Sequence, residues 1–285
     1  MKKIIFCFVL SCLLAPYAFG QKKLFKDAPG AVSYTFRDDL AKDVPGTLDK
    51  IKAMGITNME FSGLFKQTPE QLRALLDARG MRCTSLGVGY GDLLKNPDKV
   101  IAQAHTLGAE FVRVASIPHP GDFKNLPADA VKQAAIDFNI FGKKLKDAGL
   151  TFCYHNHGPE FKDGTELGEP TFFDYLMKNT DPKYVSFEMD VMWVYWPGVD
   201  PVALLQKYPD RFKLMHVKNV KKGLTRGGSI TFTAVGDGQI DMDDVLRTAV
   251  KKTKIKYFYI EDESPTQFID AQVPESVKYM KELTK

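Results

Sequence analysis

Tyr154-His155-Asn156-His157, with Glu160-Phe161 close behind, is the densest group of proton-active side chains in the sequence. Three similar groups follow it: Glu188-Met189-Asp190 with Trp193, then His216-Val217-Lys218-Asn219, then Glu261-Asp262-Glu263. Each group closes an apolar run rich in β-branched and aromatic residues, and so reads as the carboxyl end of a strand. Neighbouring strands lie about 4.8 Å apart, so one inward side chain from each could converge on a single ion. Carboxylates with imidazole suit one divalent cation, Mn²⁺, Mg²⁺, Co²⁺ or Zn²⁺, and not a thiolate-built structural zinc centre. A cation there polarises a carbonyl and lowers the barrier to removing the proton on the adjacent carbon. The proton's return then gives isomerisation or epimerisation, whereas departure of a neighbouring oxygen gives elimination.

For these groups to meet, the strands carrying them must share one sheet edge. The pattern predicts strands over Ala31–Phe36, Asn58–Phe61, Arg82–Val88, Phe111–Ala115, Thr151–His155, Val185–Met189, Phe212–Val217 and Tyr257–Ile260. Helical stretches fall between them. Thr68-Pro69-Glu70 opens a helix over Gln71–Ala78, and Asn96-Pro97 opens one over Asp98–Leu107 that Gly108 ends. Pro127–Ala148, a segment from Asp200-Pro201, and Met242–Lys252 complete the set. Strands and helices alternating over residues 21–285 without a linker predict one domain, an α/β fold closed as a single (β/α)₈ TIM barrel. An open doubly wound sheet would show a glycine-rich dinucleotide turn after the first strand, where Ser33-Tyr34-Thr35-Phe36-Arg37 stands instead. In a barrel the chemistry lies at the carboxyl ends of the strands, where all four groups fall.

The ends and the composition limit the partners. Lys2 and Lys3, the apolar run Ile4–Leu14 and the small residues Ala18 and Gly20 predict a secretory signal peptide over residues 1–20, cut near Gly20-Gln21. The run is too short for a membrane span. Val9-Leu10-Ser11-Cys12 also resembles a lipoprotein cleavage box that would anchor the chain through Cys12; the secreted or periplasmic form is the expectation. Cys7 and Cys12 lie in the signal, and Cys83 and Cys153, in apolar strands, are expected as buried free thiols. The formal charge of +4 falls to +2 without Lys2 and Lys3, no footprint for nucleic acid. Glu60, ending the second strand, Arg113 on the fourth and His119 in the loop after it are candidate substrate contacts, as are His155, Trp193 and Lys218. Whether the protein forms a homodimer is left open by the sequence.

Taken together, these groups with Gly198-Val199-Asp200-Pro201 and Gly236-Asp237-Gly238-Gln239-Ile240-Asp241 resemble the xylose isomerase-like TIM barrels, the sugar phosphate isomerases/epimerases of the AP endonuclease family 2 superfamily. The resemblance covers essentially all of residues 21–285 and implies one divalent metal held from the fifth to the eighth strands. Its ligands fall by resemblance on Glu160, Asp190, His216 and Glu261, with His155 the other strand-five candidate. Glu160 and Glu261, or His157 with one of them, are then the acid and base. Asn219 stands where relatives commonly have Asp. The implied activity is an exported, metal-dependent sugar isomerase/epimerase. The alternative is a lyase or dehydratase on 3-keto sugars or keto-glycosides, and after it a carbohydrate-binding barrel without turnover.

Overall fold

The computed structural model describes residues 22–122 and 124–285, so the predicted signal over residues 1–20 lies outside the described residues. Eight parallel strands close on themselves: β1 (Gly30–Val32), β2 (Asn58–Phe61), β3 (Arg82–Gly87), β4 (Phe111–Val114), β5 (Thr151–His155), β6 (Val185–Asp190), β7 (Phe212–Val217) and β10 (Tyr257–Ile260). β1 pairs with both β2 and β10, which completes the (β/α)₈ TIM barrel expected from the pattern. Between β7 and β10, β8 (Asn219–Val220) and β9 (Phe232–Thr233) make a short antiparallel hairpin that the sequence did not announce.

The helix signals act as their chemistry requires. Thr68 Oγ1 accepts from the amide of Gln71 while the Gln71 side chain accepts from the amide of Thr68, and Pro69 supplies a preset first turn to the helix Pro69–Asp77. The long helix Ala128–Asp147 lays Phe138 and Phe141 on the sheet, where Phe138 meets Phe152 and Tyr154 at ring separations of 5.2 and 4.7 Å. Helices Val44–Ala53 and Phe172–Asn179 were passed over in the sequence and fill the same outer layer. Among the described residues, no helix is long and apolar enough to cross a membrane.

The first strand is shorter than predicted. After Val32 the chain turns into a 3₁₀ segment, Ser33–Phe36, because its hydroxyls are engaged by neighbouring loops. Ser33 Oγ accepts from the amide of Ser62 at 2.8 Å, and Thr35 Oγ1 from the amide of Asp262 at 3.0 Å. These long-range bonds override a local β preference.

Since Phe152 and Tyr154 face the helices, Cys153 and His155 must face the barrel interior. Phe111, Cys153, Leu214 and Tyr259 form a separate apolar cluster there, at the amino end of the interior. Cys83 and Cys153 are buried free thiols, as expected. Above that apolar plug the inward positions turn polar, and the site begins.

Candidate active site

Strand alternation stacks the polar residues in two storeys. The lower holds Glu60, Arg113, His155, Glu188 and His216, all buried, and the upper holds Asp190, Lys218 and Glu261. By register His155 is level with Glu188 on β6, and Asp190 with His216 on β7, so that His216 joins the two storeys, facing Glu60 below and Glu261 above. Two irregularities, between Met59 and Glu60 and between Phe187 and Glu188, shift the pairing where these glutamates enter. Such shifts re-aim side chains. Gly87 leaves space for Arg113, since a Cβ there would lie 2.6 Å from its guanidinium.

Arg113 Nε lies 2.7 Å from Glu60 Oε1 and 3.4 Å from Glu188 Oε2. Burial disfavours a charge on Glu60, but Arg113 and His216 outweigh it and hold this carboxyl at about 2. Burial, and then the charge of Glu60, push Glu188 well above the carboxylate range, so one member of the pair is ionised and the other protonated. His155 Nδ1 approaches Glu188 Oε2 at 3.0 Å, and His216 Nε2 approaches Glu60 Oε1 at 2.8 Å.

In the upper storey His216 Nδ1 is 3.0 Å from Glu261 Oε2. Lys218 Nζ lies 2.9 Å from Asp190 Oδ2, 2.6 Å from Glu261 Oε2 and 2.6 Å from Glu263 Oε1. Burial opposes its charge, but the three carboxylates keep it fully protonated. Burial lifts Asp190 to about 6 against the pull of Lys218. Burial also pushes His155 well below the usual imidazole range and His157 down to about 3, so both rings are neutral at pH 7. A cavity of about 670 Å³ opens above, lined by Arg113, His155, His157, Trp193, His216, Lys218, Glu261 and Glu263, with Tyr34, Leu64, Asp92 and Gln103 on its outer wall.

Ligand atoms of His155, Asp190 and His216 lie within 4.8 Å of one another, with Glu261 against His216. Two imidazoles and one carboxylate within reach of one point, with a second carboxylate, Glu261, beside them, form a donor set that suits Zn²⁺, Mn²⁺ or Co²⁺ better than the oxygen-seeking Mg²⁺. Glu60, Glu188 and His216 make a second close group, but the guanidinium of Arg113 already lies between its carboxylates.

Of the residues predicted from sequence, Glu60, Arg113, His155, His157, Asp190, Trp193, His216, Lys218 and Glu261 are brought together. Two are not. Glu160 sits in a 3₁₀ turn, Pro159–Phe161, where its carboxylate accepts from the Tyr154 hydroxyl and from the amide of His157, away from the cavity. Its carboxylate is thus engaged away from the cavity, whereas His155 lines it. The other is His119: its ring nitrogens sit on the carbonyls of Ile117 and Asp122, at 2.9 and 3.2 Å, bracing a loop outside the cavity wall. Glu188 and Glu263 join the site without having been singled out by the sequence pattern, although Glu188 stands two before Asp190 on the same face of β6 and Glu263 two after Glu261 in the loop beyond β10. Asn219 is buried and holds backbone alone, donating to Val235 and Ile240 carbonyls and accepting from the Ile240 amide.

A family model, the xylose isomerase-like TIM barrel, matches residues 48–283. The chain belongs to that family. It is 24% identical over 241 residues to an inosose dehydratase of Lacticaseibacillus casei, covering 73% of this chain and 78% of the other. The crystal structure of a sugar phosphate isomerase/epimerase from Parabacteroides distasonis superposes with a TM-score of 0.69 at 25% identity, over 93% of this chain and 95% of that one. A third barrel, the IOLI protein with a bound zinc atom, shares the fold with a TM-score of 0.67 at 11% identity, over 90% and 95% of the two chains.

Proposed function

We propose that this protein is a metal-assisted carbon–oxygen lyase that dehydrates, or removes an alcohol from, a cyclic ketone of the sugar or cyclitol class. The observation that carries the proposal is that His157 and Lys218 line one cavity with the donors His155, His216 and Glu261, where burial favours the neutral imidazole and three carboxylates favour the charged ammonium. The ion those donors and Asp190 would hold supplies polarisation of the ketone and stabilisation of the charge that develops on its oxygen. His157 accepts the proton from the carbon beside the ketone, and the electrons of that bond become the new carbon–carbon double bond. Lys218 donates to the departing oxygen, which leaves as water or as an alcohol. Arg113 and Trp193, both lining the cavity, hold the ring. Kinship to inosose dehydratases supports elimination over the isomerase/epimerase chemistry expected from sequence. The case for an ion rests on the clustered donors His155, Asp190 and His216 of this chain, with Glu261 beside them; the zinc of the IOLI protein belongs to that protein.

The test uses the mature protein with Zn²⁺, Mn²⁺ or Co²⁺ in D₂O, supplied with 2-keto-myo-inositol and with 3-keto-glucosides. Loss of water or of the aglycone by mass, abolished by a chelator, is the expected outcome. A second reading, sugar isomerase/epimerase, draws on the Parabacteroides distasonis barrel. It predicts a product of unchanged composition carrying one solvent deuterium, and that product alone would displace the lyase. We also propose export through residues 1–20 into the periplasm or medium; an exported chain that retains Met1 at its amino terminus would refute signal cleavage.

A further inference from the structure

Lys218 occupies an unusual place for a substrate-binding lysine. Asp190 has two oxygens, and Oδ1 already accepts from the amide of Trp193 at 3.0 Å, capping the short helix Val191–Tyr195. The other, Oδ2, bears the ammonium of Lys218 at 2.9 Å. Glu261 Oε2 carries the same ammonium at 2.6 Å and His216 at 3.0 Å. Two of the oxygens open to an ion, Asp190 Oδ2 and Glu261 Oε2, are thus ones that Lys218 covers. Ion and ammonium drawn to the same two oxygens repel each other in a buried site, where the repulsion is weakly screened.

The lysine has somewhere to go. Its third partner, Glu263, is the most exposed member of the cluster, at 25%, and stands on the cavity wall. The rings of Trp193 and Phe232 flank the ammonium at 5.9 and 5.8 Å, within the range of cation–π attraction. Lys218 can therefore swing off Asp190 while keeping Glu263, and the motion turns it toward whatever oxygen fills the cavity.

We propose that Lys218 is a tethered counter-cation that contends with the divalent ion for Asp190 and Glu261, so that ion and polyol substrate bind cooperatively. The inference rests on the metal-assisted reading above. Without an ion, the ammonium neutralises the acidic cluster. With an ion, it is displaced onto Glu263 and a substrate oxygen, and each ligand raises the other's affinity by the same factor. Lys218 is in this sense a positioning residue for the ion as well as a contact for the substrate.

The experiment measures Zn²⁺ and Mn²⁺ affinity by competition with a chromophoric chelator, with and without saturating myo-inositol, a polyol with no ketone to react. In the native protein, myo-inositol should tighten ion binding severalfold. Lys218→Met should bind the ion about tenfold or more tightly and lose the effect of myo-inositol. Glu263→Gln should bind it more weakly, since the ammonium then has only Asp190 and Glu261. Opposite signs for the two variants are what a merely structural lysine would not give. Unchanged or weaker binding in Lys218→Met overturns the proposal. If that variant fails to fold, an unchanged Glu263→Gln together with no myo-inositol effect overturns it equally. Asp190→Asn separates the two levels: if it binds ions as the native protein does, the metal-assisted reading itself fails, and the contest falls with it.

Discussion

Replacing Arg113 with Met should destabilise the barrel by about 3 kcal/mol at pH 7, and the loss should be recovered by a second change at Glu60. Arg113 Nε sits 2.7 Å from the Glu60 carboxylate, and neither side chain reaches water to any useful degree. With burial working against it, Glu60 is held at about 2 instead of its ordinary 4.5, chiefly by Arg113 and then His216. Removing one partner of a buried ion pair costs about 3 to 5 kcal/mol, and the lower end applies because His216 still faces Glu60 at 2.8 Å. The folded-state value is depressed, so this stability is present above pH 4.5 and is lost as the pH falls toward 2. Arg113→Met should thus cost most at neutral pH and progressively less in acid. Adding Glu60→Met removes the stranded carboxylate and should restore much of the loss, because an apolar pair is tolerated where a broken ion pair is not. Urea denaturation of the mature protein at several pH values, for both single variants and the double variant, gives the coupling energy directly. A cost below 1 kcal/mol at pH 7, or a double variant no better than Arg113→Met, would refute this account of the lower storey.

Asp190→Asn and His216→Ala should each abolish ion retention and turnover together, as read by elemental analysis and the D₂O assay; full retention in either dismisses the donor set. Glu160→Gln should retain the ion, because that carboxylate is engaged by Tyr154 and the His157 amide, at a stability cost of about 1 kcal/mol. Ion loss in that variant would return Glu160 to the ligand set. Burial pushes the thiol of Cys83 up to about 12 and that of Cys153 well above its ordinary range. Neither should react with an aromatic disulfide reagent at pH 8 until the protein is unfolded, and rapid labelling of the native protein would contradict the packing.

Much of the site was legible because strands impose a period of two. His155 and His157, Glu188 and Asp190, His216 and Lys218, Glu261 and Glu263 each stand two apart near the end of a strand, so one face of each carries the chemistry. That periodicity predicts where groups point but not which of them touch. Glu160 lies outside the cavity because three residues of 3₁₀ turn after β5 rotate it onto Tyr154, a contact made by local geometry that no strand period encodes. His119 lies outside it because loop conformation decides whether an imidazole meets ligand or backbone. The early end of β1 came from hydroxyls answering amides at Ser62 and Asp262, distant in sequence. Asn219 shows the same limit: a carboxylate there could accept from Ile240 but could not donate to Val235 and Ile240, so the departure from the family pattern belongs to the backbone.

The greasy floor of Phe111, Cys153, Leu214 and Tyr259 closes the barrel interior beneath the polar storeys. On the reading proposed above, an ion at the depth of His155 and His216 would arrive before the sugar and depart after the product. Binding would then be ordered, with the organic molecule acting as a stopper over the inorganic one. A chelator added mid-reaction should strip the protein more slowly the more substrate it holds.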